Sequence, residues 1–216
     1  MYNLLNMLVE LHKDKSIARI MLNWHIKKYC NNMRGRVVDL ASGNASYYKY
    51  IENKDTLKIV RADYDKGVNP DVALDLNKKF PFLDGEIDNL MFFNGIYIVE
   101  NAVQTLKECF RVLKTGGTLH LASPFIFNES REPHDYYRFT SEKLEQILKG
   151  AGFQYVEIIP IGERFSAASF LVGKFLFIPI FRFLLYSSAI FLDKLVPTKI
   201  KKLHPCPISY FCIARK

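Results

Sequence analysis

Cysteine is scarce and scattered in this chain. Its four residues, Cys30, Cys109, Cys206 and Cys212, form no CxxC pair and no metal-ligand spacing. Neither a disulfide framework nor a zinc site is expected, and the thiols read as reduced. A long apolar run is also missing. A membrane-spanning helix needs about 20 uninterrupted apolar residues, whereas Lys174, Pro179 and Arg182 cut the most apolar stretch, 165–192, into shorter pieces. The segment 1–10 has no leading basic region and no small-residue cleavage site, so no signal peptide is read there and a cytoplasmic protein is expected. No basic stripe interleaved with aromatics appears, so nucleic acid is not expected as a partner. Nothing in the sequence specifies an oligomeric state.

What is present is 216 residues, 49% of them hydrophobic, enough for one core and a single elaborated domain. Its expected parts are N-terminal helices over 1–33, a cofactor-binding core over 34–163, an apolar helical insertion over 164–206 and a final strand over 207–216. The net charge of +8 is unevenly placed. Lys194, Lys199, Lys201 and Lys202 follow the apolar stretch directly, a combination that suits the surface of an anionic membrane.

Apolar residues at helical spacing run through the first thirty positions. Strands are predicted over 36–40, 57–62, 88–93, 118–122, 153–161 and 208–214. Helices are predicted over 46–52 and 102–114, the latter stopped by Gly116 and Gly117, and again after Thr140, which can cap. Two more are expected to meet near Pro179. This alternation implies an α/β fold with a mostly parallel sheet covered on both faces. In such sheets a ligand sits at the carboxyl ends of the strands where the strand order reverses, which points to 41–46.

That turn reads Ala41-Ser42-Gly43-Asn44-Ala45, with no large side chain to keep a ligand from its amides. A dinucleotide loop would carry G-x-G-x-x-G, and Gly43 is the only glycine here, so a nicotinamide-dependent oxidoreductase is poorly supported. Asp63 follows Gly43 by 20 residues at the end of the next strand, where a carboxylate can accept both hydroxyls of a ribose.

Residues 37–45, Val-Val-Asp-Leu-Ala-Ser-Gly-Asn-Ala, resemble the first motif of the class I S-adenosylmethionine-dependent methyltransferases, and the type 11-like group among them. Two of the motif's three glycines are Ala41 and Ala45 here. The resemblance covers roughly 36–161 plus the last strand. It implies a Rossmann-like seven-stranded sheet, mostly parallel with an antiparallel last strand, and S-adenosyl-L-methionine as cofactor. It also implies contacts from Asp39, Ala41, Ser42 and Gly43, a ribose on Asp63, an adenine against Tyr64 and addressed by Asp75 and Leu76, and Asn94 beside the methionine part. Phe80-Pro81-Phe82-Leu83-Asp84 is similar to the family's PF-x-D approach to the fourth strand. Glu108 to Gly117 is similar to its E-x-x-R-V-L-K-P-G-G run, to which a purely structural role is given. The Glu-His that many relatives carry after the fourth strand is replaced by Tyr97-Ile98.

The loop 125–137 contains Glu129, Glu132, His134 and Asp135 and resembles the P-H-D-Y-Y-R-F-T loop of a subgroup often found among polysaccharide and glycolipid genes. A sugar hydroxyl is a weak nucleophile that benefits from a general base. His134 is the first candidate and Asp135 the second, with a turn-capping role for both as the alternative. Arg138 is expected to pair with a nearby acid. The expected activity is O-methylation of a glycan or lipid-linked intermediate at the inner face of a membrane, with peripheral contact through 165–202. The competing expectation is a catalytically silent, membrane-associated scaffold with the same fold, to which Ala41, Ala45 and the absent Glu-His lend weight.

Overall fold

Strand sequences that are apolar without alternation mark strands buried on both faces, and the two clearest, β1 (Arg36–Leu40) and β4 (Ile87–Phe93), lie side by side at the centre of one sheet. The fold is that of a computed structural model, which describes residues 15–131 and 134–216. β2 (Lys58–Asp63) and the two-residue β3 (Val72–Ala73) extend the sheet on one side. β5 (Leu113–Pro124), β7 (Ser209–Arg215) and β6 (Tyr155–Ile161) extend it on the other. The seven strands run in the order β3-β2-β1-β4-β5-β7-β6, all pairs parallel except those of β7, which lies antiparallel to both neighbours. The sheet, its antiparallel last strand and its Rossmann-like character agree with expectation.

Successive residues of the central strands feed opposite faces. Val38, Leu40, Leu90 and Phe92 pack under α2 (Ala102–Val112) and α3 (Ser141–Ala151), while Val37, Met91 and Phe93 join α1 (Ile17–Tyr29), α4 (Arg164–Gly173) and α5 (Pro179–Leu195) on the other side. Ser16 and Thr140 cap α1 and α3, each accepting from the backbone N–H three residues on, and α3 ends at Gly152, with φ +116°. The earlier part of the N-terminal helical pattern falls outside the described residues.

Three expectations are corrected. Residues 46–52 form no α-helix; one 3-10 turn, Tyr48–Tyr50, stands there and a second, Lys54–Thr56, follows it. The segment is too short to offset the cost of helix nucleation, and the Tyr47 and Tyr48 side chains are drawn back to Asp39. The helix over 102–114 ends at Val112, before the glycines, and β5 begins at once. Its residues 114–117 bulge, since Leu113 pairs with Ile87 but Thr118 with Asn89. Gly116 has φ +78°, and a side chain at Gly117 would strike the Lys114 and Asp88 carbonyls, so the two glycines shape a bulge and do not stop the helix. A third helix, α6 (Thr198–Leu203), follows the two expected around Pro179.

Pro179 stands at the first turn of α5, where no backbone donor is lost. Asp193, near the other end of α5, accepts from the backbone N–H groups of Glu163, Phe165 and Ser166. One buried carboxylate thus caps α4 from the neighbouring helix and fixes the pair.

His120 of β5 lies wholly inside, near the Phe211 ring, and burial lowers its pKa from 6.5 to about 4. The unfolded chain therefore binds the proton more strongly. The stability this group contributes is complete above about pH 6.5 and is lost as pH falls towards 4, by about 3 kcal/mol in total. Asp39 shifts the other way, up to about 7 by burial, so bulk acid sensitivity mixes the two. The difference in urea stability between wild type and His120→Leu isolates the histidine and should shrink steadily from pH 7 to pH 4.

Candidate active site

The strand order reverses between β1 and β4, and the loops after these strands open a crevice at the carboxyl end of the sheet. The turn after β1 carries three positive φ values, +53° at Ala41, +50° at Gly43 and +50° at Ala45. These are the three positions of the glycine motif. The left-handed backbone of a glycine-rich loop is therefore kept with alanine at two of the three, at a cost of roughly 1 kcal/mol each. A residue larger than glycine at position 95 would strike the Phe92 ring and come within 3.0 Å of the Ala41 methyl, so Gly95 makes room for it.

Hydrogen bonds hold this conformation. Asp63, at the end of β2, accepts from Gly43 N at 2.8 Å and from Asp65 N at 3.0 Å. Arg61 donates to the Gly43 and Val68 carbonyls, both at 2.7 Å. Asp39 is wholly buried, and its Oδ2 accepts from the hydroxyls of Tyr47 and Tyr48 while Oδ1 has no partner among the described residues. Burial pushes its pKa up to about 7 against the pull of the two tyrosines and Arg61. The Ser42 hydroxyl is likewise buried without a partner among the described residues.

Beside this loop lies a cavity of about 310 Å³ lined by Ala41, Asp63, Tyr64, Leu74, Asp75, Leu76, Ile98 and His134, among others. Its volume falls at the lower end of small-molecule sites. Two carboxylates among aliphatic walls suit a nucleoside, with a diol to be accepted and a flat base to be covered. Asp63 has lone pairs beyond the two it uses, since a carboxylate offers about four acceptor positions. Tyr64 is 72% exposed at the mouth. The Asp75 carboxylate is held below its ordinary range, first by the backbone N–H of Asn77. The residues present fit an adenosyl group, and the unpartnered Asp39 Oδ1 offers an acceptor to an ammonium.

Not every expected residue meets in this cavity. Asn94, with φ +55° and its N–H on the Ala122 carbonyl, lines a separate hollow of about 130 Å³ with Ser16, Arg19, Pro124 and Phe127. His134 is exposed, stacks on Tyr136 at 5.4 Å and stands with Asp63 and Asp75, not with Asn94. Asp135, the second candidate base, is engaged by its neighbours. Its carboxylate forms a two-point ion pair with Arg138 and accepts from Ser130 N, and Arg138 above all holds its pKa down. The pair braces the loop, as expected of Arg138. Glu132 lies outside the described residues.

The E-x-x-R run also has a structural task. Arg111 donates to Glu108, Asp84 and the Phe80 and Phe82 carbonyls, and Glu108 accepts from Phe80 N, which ties the 80–84 segment to α2. Sequence reasoning missed Arg61 and the two tyrosines on Asp39. The signal available was their position just before Asp63 and just after the loop.

Residues 38–121 match the family model of the methyltransferase domain. A demethylmenaquinone methyltransferase of Chlorobaculum tepidum is 23% identical over 203 residues, spanning 74% of this chain and 82% of that protein. A SAM-dependent methyltransferase of Archaeoglobus fulgidus superposes with a TM-score of 0.62 at 17% identity, covering 92% of this chain and 94% of that one. A phosphoethanolamine N-methyltransferase of Haemonchus contortus, solved with S-adenosyl-L-methionine, does so with a TM-score of 0.61 at 18% identity, over 90% of this chain and 52% of that one.

An added methyl at Gly43 would meet no atom within 4 Å, so its cost is conformational alone. Gly43→Ala should lower stability in urea unfolding by about 1 kcal/mol, with the fold intact by circular dichroism.

Proposed function

Because this chain is an S-adenosylmethionine-dependent methyltransferase, we propose that Asp63 and Asp75 hold the cofactor in the cavity they share and that the acceptor is the oxygen of a glycan or lipid-linked molecule at a membrane surface. The observation that carries the site is the meeting of these two carboxylates beside the left-handed loop. Asp63 would take the ribose hydroxyls, Leu74, Leu76 and Ile98 the faces of the base, Asp75 and the Leu76 backbone its edge, and Tyr64 would cover it. Asp39 would receive the ammonium through its unpartnered oxygen, with Ala41, Ser42 and Gly43 presenting backbone to the same ligand and Asn94 beside its methionine part. The cofactor supplies an electrophilic methyl group on sulfur, whose in-line transfer needs chiefly near-attack geometry.

The acceptor hydroxyl must lose its proton. His134 is the proposed base, and from its place on the cavity rim it can serve an acceptor that enters along that rim. Asp135, engaged by Arg138, braces the loop beneath it.

The membrane reading rests on α4 to α6. Phe177 is 86% and Phe175 76% exposed, and Ile178, Ile180, Phe181, Leu184, Phe191 and Leu195 are exposed too. Lys194, Lys199, Lys201 and Lys202 stand alongside. An apolar surface of this kind marks an interaction site, and its basic border suits anionic headgroups. Among the described residues no helix is long and apolar enough to cross a membrane, so the proposed contact is with the interface.

Calorimetry with S-adenosylmethionine should show Asp63→Ala binding at least tenfold more weakly, about 1.4 kcal/mol or more; unchanged affinity sinks the site. With labelled cofactor and lipid or glycan extracts, mass spectrometry of the labelled product identifies the acceptor. With that acceptor, His134→Ala should cut kcat by about a hundredfold. Normal turnover removes the base, and weakened cofactor binding with kcat intact reassigns His134 to covering the nucleoside.

A further inference from the structure

The hollow beside Asn94 has an uncommon feature. Arg19, in the first turn of α1, is half-buried and lines it, yet among the described residues its guanidinium has no carboxylate or carbonyl partner. The other half-buried arginines of the site are all engaged. Arg61 is held by the Gly43 and Val68 carbonyls, Arg111 by Glu108, and Arg138 by Asp135. A half-buried guanidinium that no described group engages is available to an anionic ligand, and its partly sheltered position favours such a pair over a fully exposed one. Its planar fork matches an oxyanion with two parallel hydrogen bonds.

The surroundings fit an acceptor. Asn94 directly follows β4 and Pro124 ends β5, and the hydroxyl-bearing Ser16 and Ser209 share the wall. The Arg19 charge is felt by Tyr47 and by Tyr97, opposing the upward push that burial gives both hydroxyls. It thus lies between the loops after β1 and β4. Phe127, also in the wall, stacks on Phe170 of α4 at 4.9 Å, and Leu171 and Val172, the next residues of that helix, are exposed. The hollow is therefore joined to the apolar helices by one aromatic pair.

We infer that this hollow is the acceptor subsite, in which Arg19 binds a phosphate or carboxylate of the methyl acceptor while its apolar part runs along α4. The inference rests on the cofactor assignment of the neighbouring cavity and goes beyond it in naming an anionic acceptor.

The test uses the protein saturated with S-adenosylhomocysteine and follows thermal stability, since a ligand of the folded state raises Tm with concentration. Hexyl phosphate or hexanoate should raise the Tm of the wild type, and hexanol should not. Arg19→Gln should weaken that binding at least tenfold, and Arg19→Lys should keep part of it, which preserves the test if the glutamine variant unfolds. Inorganic phosphate binding as tightly as hexyl phosphate would identify a free anion as the source, whereas much tighter hexyl phosphate binding identifies the headgroup of an amphiphile; both uphold Arg19. Equal response to hexanol, or full response in both Arg19 variants, overturns the subsite. Calorimetry of S-adenosylhomocysteine on the wild type separates the two failures, because loss of that binding refutes the cofactor site whereas its persistence confines the failure to Arg19.

Discussion

The hydrogen bond from Gly43 N to Asp63, at 2.8 Å, joins the loop after the first strand to the end of the second. With Arg61 gripping the Gly43 carbonyl from the other side at 2.7 Å, the donor and the acceptor of one residue are both fixed from β2. The loop needs such anchoring because two of its left-handed positions are alanines, and left-handed alanine is disfavoured by roughly 1 kcal/mol. Strained backbone persists only where the surrounding structure over-determines it. Here two tyrosines on Asp39, Arg61 and Asp63 do so together. The carboxylate proposed to take a ribose is thus also a structural member of the loop beside it.

Much of this was legible in the sequence, for identifiable reasons. The doubly buried strands β1 and β4 announce themselves by the short apolar runs Val37-Val38 and Leu90 to Phe93, and the capped helix from Ser141 to its left-handed Gly152 shows both its ends. Asp63 was legible from spacing because strand and turn lengths leave a carboxylate there little freedom. What stayed hidden depends on contacts distant in sequence. The stretch 46–52 has helix-like patterning but gives up helical structure to Asp39, seven residues before it begins. The bulge at Gly116 and Gly117 depends on pairing with β4, which no local rule contains. Asp135 looked like a free carboxylate until its two-point contact with Arg138 was visible.

The apolar segment taught a similar lesson about scale. Composition alone indicated two helices around Pro179, but the element that orients them is the buried Asp193, whose carboxylate gathers three backbone donors at the start of α4. Capping by a neighbouring helix satisfies groups that would otherwise be orphaned. Phe175 and Phe177 lie in the connection between Gly173, the last residue of α4, and Pro179, the first of α5, and both are exposed.

These constraints converge on the relation between two hollows. One, beside Asp63 and Asp75, has negative groups and aliphatic walls; the other, beside Asn94, has the Arg19 cation, which no acid among the described residues engages, and an aromatic wall. The loops after β1 and β4 separate them. On the assignments proposed above, electrostatics would distinguish the ligands: a cationic sulfonium compound would be attracted to the carboxylate side and an anionic acceptor to Arg19. The loop accommodates its two alanines locally: Ala41, which lines the carboxylate cavity, keeps its methyl because residue 95 is glycine, and at Gly43 a side chain would stand in open space.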